Sequence, residues 1–182
     1  MNTSTSRRLF LQKSAVATTG LVFLSSSIVN AMNTACPYEG YNPYAEEITD
    51  LRTSLFTKHV RVKGVLYDKS GMNPLKDATV EVWHLSPNSN KYRHRAKLKT
   101  NSAGEYNFIT DFPNREKGEA RKIYFKVTTP ERTQFSDLVL SKTDAYISSK
   151  HWEQHNGLGE KMFPSIKQNL NTSIVTFNLS IY

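Results

Sequence analysis

Two histidines four residues apart are the clearest paired chemistry in this 182-residue chain: His151 and His155, in His151-Trp152-Glu153-Gln154-His155. On a helix they would share one face and could clamp a divalent ion. The glutamate is misplaced for a zinc-protease H-E-x-x-H motif. The flanking Ser-Ser-Lys and Asn-Gly-Leu-Gly read as solvated loop, so ligation is not the expected role. A second pair, Lys122 and Tyr124, stands two residues apart in Arg121-Lys122-Ile123-Tyr124-Phe125-Lys126-Val127. On a strand these two point together, while Ile123, Phe125 and Val127 face the core. Of the remaining histidines, His84 reads as a packed strand residue after Trp83 and His59 as a strand opener. His94 lies in an exposed basic turn, Tyr92-Arg93-His94-Arg95, and reaches a site only if that turn folds back. Cys36 is the only cysteine, so no intrachain disulfide can form. Glycine-rich phosphate loops and a nucleophile elbow are absent.

The elements that must position these groups are strands. Ala78, Val80 and Val82 alternate with Thr79, Glu81 and Trp83, a period of two. Strands are expected over 59–67, 78–85, 95–100, 105–110, 122–129, 135–140 and 173–182. Turn chemistry separates them, as in Asp68-Lys69-Ser70-Gly71 and Asn101-Ser102-Ala103-Gly104. Short strands at this spacing argue for an all-β, antiparallel sandwich. Residues 45–55 are read as a short helix, and 141–171 as a long irregular loop with short helical turns. No repeat or second domain is visible. The organisation expected is a leader over 1–31, an arm over 32–57 and a sandwich over 58–182.

Several segments, in order, resemble the intradiol ring-cleavage dioxygenases. Gly64-Val65-Leu66-Tyr67-Asp68-Lys69-Ser70-Gly71-Met72-Asn73-Pro74-Leu75-Lys76 runs into Asp77-Ala78-Thr79-Val80-Glu81-Val82-Trp83, then a turn and Tyr92. That order is similar to the family's G-x-V-x-D-x-x-G-x-P-x-x-G-A-x-V-E-x-W and G-x-Y. Lys99 to Thr110 looks like T-x-T-D-x-x-G-x-Y-x-F-x-T, with Asn101 at the aspartate. Arg121 to Val127 looks like R-P-x-H-I-H-F-x-V, and Thr49-Asp50-Leu51-Arg52 like the family's S-D-I-R lead-in. The resemblance covers about 36–182 and implies a mononuclear Fe(III) held by two tyrosinates and two histidines, hard donors that suit the ferric state. It places Tyr92 at the first tyrosine and Glu116 at the second. Lys122 and Tyr124 fall at the two histidines, and Arg121 or Glu119 at the arginine. One ligand position in four keeps its residue type.

Two accounts of that place follow. In one, Tyr92, Tyr124 and Glu116 form a rebuilt all-oxygen centre for Fe(III) or another hard cation, and the protein is an oxygenase acting on catechol-type aromatics. In the favoured one, no cofactor is expected. The pocket is closed by a Lys122–Glu116 pair and hydrogen-bonded tyrosines, and the protein binds a small aromatic ligand or a protein partner. A transthyretin-like module presenting its loops is the third account.

The N-terminus reads as an address. Ser6-Arg7-Arg8-Leu9-Phe10-Leu11-Gln12-Lys13 is close to a full twin-arginine signal, with Val29-Asn30-Ala31 as a cleavage site. The apolar stretch between them is broken by Thr18, Thr19, Gly20 and Ser25 to Ser27, so no membrane span is expected. Export to the periplasm or medium follows. Asn33 stands where a lipobox before Cys36 wants an apolar residue, which argues against lipidation. The net charge of +8 comes from scattered bases without a recognition motif, so nucleic acid is not an expected partner.

Overall fold

In β2 (His59–Asp68) the side chains of Val60, Val62 and Leu66 are fully buried while Lys63 is exposed. The same alternation puts Val80 and Val82 of β3 (Thr79–His84) and Ile123, Phe125 and Val127 of β6 (Arg121–Thr128) inside. The computed structural model describes residues 36–181. The expected leader, its cleavage site and Asn33 to Ala35 lie outside the described residues. Two sheets face each other. One has the order β1-β5-β2-β10-β9, with β11 also on β2, and the other β4-β3-β6-β7-β8. The remaining strands are β1 (Asp50–Leu51), β4 (His94–Lys99), β5 (Glu105–Asp111), β7 (Thr133–Leu140), β8 (Ala145–Ile147), β9 (Ser165–Asn169), β10 (Thr172–Thr176) and β11 (Leu179–Ile181). Phe108, Phe125, Phe177, Leu138 and Leu179 fill the space between the sheets.

The expected all-β sandwich stands, with three parallel pairings inside it. β1 runs parallel to β5, and β10 and β11 run parallel to successive halves of β2. The closing strand is broken at Phe177 and Asn178, where Asn178 Oδ1 accepts from the Val65 N–H. Gly64 lies opposite that break, and a Cβ there would stand 1.8 Å from the Phe177 carbonyl oxygen. Only glycine permits the approach.

Residues 45–55 are not helical. Two sheet edges compete for this backbone and win: Lys97 N–H donates to Glu46 O and Ile109 N–H to Thr49 O, both at 2.8 Å. The segment closes one flank of the sandwich. Within 141–171, expected as loop, β8 and β9 are edge strands. Their ladders with β7 and β10 are set by pairing, not by an apolar period of their own. Between them lie α1 (Ser149–His155), capped by Ser148 Oγ, and a 3-10 segment over Asn156–Met162. Far from being solvated, His151 and His155 are completely buried on the inner face of α1. Their Nδ1 atoms meet Ser136 Oγ at 2.6 Å and Ser180 Oγ at 3.1 Å.

Candidate functional site around Tyr92

Strands β3 and β6 are neighbours, with Trp83 opposite Tyr124 and Glu81 opposite Lys126. Their outward side chains, Glu81 and Trp83 from β3 and Lys122, Tyr124 and Lys126 from β6, form a second surface behind the main core. The turn after β3 delivers Tyr92 to one end of it. Ser86 Oγ accepts from the Arg93 N–H, and Asn114 donates to Ser89 O, so this turn is braced against the loop that carries Glu116. Tyr92, Glu116, Lys122 and Tyr124 line one recess together with Asn114 and Glu119. Its volume is about 10 Å³, at the margin of what one water needs.

The internal pairings differ from the expectation in one respect. Lys122 Nζ sits 3.0 Å from Glu119 Oε2, not on Glu116. Glu116 Oε1 instead takes a very short hydrogen bond from the Tyr92 hydroxyl. Glu119 is one turn back in the approach to β6 and reaches Lys122 at i+3, leaving Glu116 to the phenol. Burial raises the Tyr92 pKa well above that of an ordinary phenol, and the Glu116 hydrogen bond raises it further. Tyr124 is raised by burial and the Glu116 charge, partly offset by Lys122. Arg121 does not join the set. It lies on the opposite face of β6, with its guanidinium 5.7 Å from the centre of the Phe112 ring.

The arm supplies a cover that the sequence reading did not foresee. Tyr38 stacks on Tyr124 with ring centres 4.6 Å apart, and Tyr41 packs on Trp83 at 5.2 Å. The Trp83 indole N–H donates to Glu39 O at 2.9 Å. Tyr41 OH lies between Lys126 Nζ at 2.5 Å and the Glu81 carboxylate at 3.2 Å, and Lys126 and Glu81 pair at 3.0 Å. The tyrosine-rich run Cys36-Pro37-Tyr38-Glu39-Gly40-Tyr41 was the available signal: aromatic rings in a short turn-rich arm need a surface to cover. Gly40 touches Tyr92 directly, at φ 74°, and a Cβ there would fall 2.0 Å from Tyr92 Cγ. Gly40→Ala is therefore expected to cost about 2 kcal/mol in denaturant unfolding and to red-shift Trp83 fluorescence as the arm lifts.

The other histidines do not reach this place. His84 is buried, as expected, with Nε2 at 2.7 Å from Thr110 Oγ1. His94, expected in an exposed turn, is buried at the start of β4 and directs Nε2 to Asp111 Oδ2 at 3.0 Å. His59 approaches the other oxygen of Asp111 at 3.4 Å. Among the described residues, no group of three or more His, Cys, Asp or Glu is placed to hold a metal ion.

No protein-family model and no curated protein matches the sequence. Solved structures match in architecture. The dioxygenase domain of a dioxygenase–carbohydrate-binding fusion from Streptomyces sp. SirexAA-E gives a TM-score of 0.60 at 17% identity, over 79% of this chain and 94% of that one. An intradiol ring-cleavage dioxygenase from Tetranychus urticae gives 0.60 at 15%, over 80% and 90%. The 3-chlorocatechol 1,2-dioxygenase of Rhodococcus opacus 1CP gives 0.56 at 14%, over 84% and 75%. At such identities the likeness speaks for architecture, and the chain has the fold of the intradiol ring-cleavage dioxygenases.

Proposed function

We propose that this protein is an exported, non-catalytic relative of the intradiol dioxygenases that binds a ligand or partner instead of cleaving aromatic rings. The observation that carries the reading is the capped Tyr92. Its hydroxyl donates to Glu116, and Gly40 lies against its ring. A ferric tyrosinate needs an ionised phenol with a free oxygen, whereas the Tyr92 hydroxyl keeps its proton on the hydrogen bond to Glu116. The two positions that would carry imidazoles hold an ammonium and a buried phenol, and Lys122 adds a positive charge where a trivalent cation would sit. A recess of about 10 Å³ admits no catechol. These residues do not fit the iron centre. Export rests on the Arg7-Arg8 signal. Among the described residues, no helix is long and apolar enough to cross a membrane.

The convergence of Tyr92, Glu116 and Tyr124 oxygens supports a second reading, a rebuilt hard-cation centre, and one experiment separates the two. The signal-free protein is incubated with Fe(III), desalted, and measured for iron content, visible absorbance and oxygen uptake with catechol. The expected result is a colourless protein with substoichiometric iron and no oxygen uptake. A red-brown band that Tyr92→Phe bleaches would establish the second reading instead.

A further inference from the structure

A different recess opens at the end of the sandwich where β2, β6 and β10 begin. Its volume is about 160 Å³, and its lining includes Lys58, Arg121, Lys142, Phe112 and Leu170 but no carboxylate. At roughly 30 Å³ per water it holds about five waters, or one small organic molecule. Among the described residues, neither Lys58, Arg121 nor Lys142 takes part in a salt bridge. Behind the recess, Asp111 accepts from Thr53, Thr57 and His94 and lies 3.4 Å from His59 of the recess wall, so its carboxylate is already committed within the fold. Three cations thus surround a concavity that lacks an anion.

The rim carries a second, independent peculiarity. β9 and β10 join through the two-residue turn Leu170-Asn171, since Asn169 pairs with Thr172. Leu170 has φ 35° and is fully exposed, at 107%. The first position of such a turn favours glycine, and a bulky residue at positive φ is strained. A leucine held there, entirely in water, contributes nothing to the core. Its side chain offers apolar surface only to something outside the fold. The Gln168 amide donates to Lys142 O and its oxygen accepts from Ser173 Oγ, so the Lys142 loop and the hairpin are fixed to each other.

We propose that this recess binds a small carboxylate with an aryl or alkyl body. The guanidinium of Arg121 takes the carboxylate in its planar fork, and Lys58 and Lys142 add charge. Phe112 and Leu170 cover the apolar body. The site lies on the opposite face of β6 from Tyr92, so it stands whether or not iron binds there.

The test is calorimetric titration of the signal-free protein at low salt with benzoate, octanoate and sulfate. Benzoate or octanoate is expected to bind with one-to-one stoichiometry and more tightly than sulfate. Arg121→Gln and, separately, the solvent-exposed Lys142→Gln are expected to weaken that binding, by about tenfold for the arginine. Leu170→Gly relieves the turn, so it should raise the melting temperature while weakening octanoate. The proposal is overturned if neither carboxylate binds, if sulfate binds as well as they do, or if binding ignores both the charge substitutions and Leu170→Gly.

Discussion

Acidification from pH 7 to 5 is expected to cost this protein a third or more of its stability, because three fully buried imidazoles are held neutral in the fold. Burial holds His84 at about 3, His151 at about 2 and His155 at about 4, against an ordinary value near 6.5. Each is hydrogen-bonded to neutral groups only: His84 to Leu85 O and Thr110, His151 to Ser136, His155 to Ser180 and Gln134. The Ser180 N–H donates to His155 Nδ1 at 2.9 Å, a bond that a protonated nitrogen could not accept. With folded-state values depressed, the unfolded chain takes up protons that the folded chain refuses. The stabilisation is complete above about pH 6.5 and is lost as pH falls below it. Three protons give a slope that approaches about 4 kcal/mol per pH unit well below 6.5, so a fall from 6.5 to 5 removes about 5 kcal/mol from a total that is typically 5–15. Urea midpoints at pH 7, 6 and 5 measure this directly. A midpoint indifferent to pH across that range would show that the three rings are not held neutral. His155→Gln, which cannot titrate, should lower the slope by about one third.

The same three rings show what was legible in the residue order and what was not. A period of two placed β2, β3, β5 and β6, and put Lys122 and Tyr124 side by side, because alternation is a local property of each strand. Spacing also showed that His151 and His155 share a helix face, but not which way that face looks. Polar neighbours suggested water, whereas Phe177, 4.6 Å from the His151 ring, and Ser180 of β11 lie beneath it. Lys122 takes Glu119 in place of the expected Glu116 for the same reason, since the choice between them depends on a loop path that no period encodes. Tyr38 and Tyr41 of the expected arm lack strand alternation, so no local pattern announces what they cover. What they cover, Trp83 and Tyr124, lies on strands that begin some forty and eighty residues further on. Over residues 45–55 the expected helix gives way because local preference loses to two sheet edges that only the folded molecule presents.

Asp111→Ala is expected to be among the most damaging single substitutions in the chain, costing about 3–5 kcal/mol. Its carboxylate is completely buried and accepts from Thr53 N at 2.9 Å, Thr53 Oγ1 at 2.5 Å, Thr57 Oγ1 at 3.0 Å and His94 Nε2 at 3.0 Å. Removing it leaves those donors without an acceptor, a penalty larger than the net gain of the bonds themselves. Burial alone would raise this acid. The hydrogen bonds from Thr53, His94 and Thr57 outweigh it and hold the group at about 2. A depressed carboxylate stabilises above its unfolded value near 4 and loses that contribution as pH falls toward 2. The amount is about 2.5 kcal/mol, and it sets in only below about pH 4, overlapping the acid end of the His84 and His151 window. Asp111→Asn, which keeps one acceptor oxygen, should fall between wild type and alanine. The carboxylate also pins residues 53–57, the stretch linking the arm over Tyr92 to β2. In Asp111→Ala, trypsin should therefore cut faster at Arg52 and Lys58 under native conditions, while sites inside β2 stay protected. Unchanged stability together with unchanged cleavage would mean that the link is held by its backbone pairing alone.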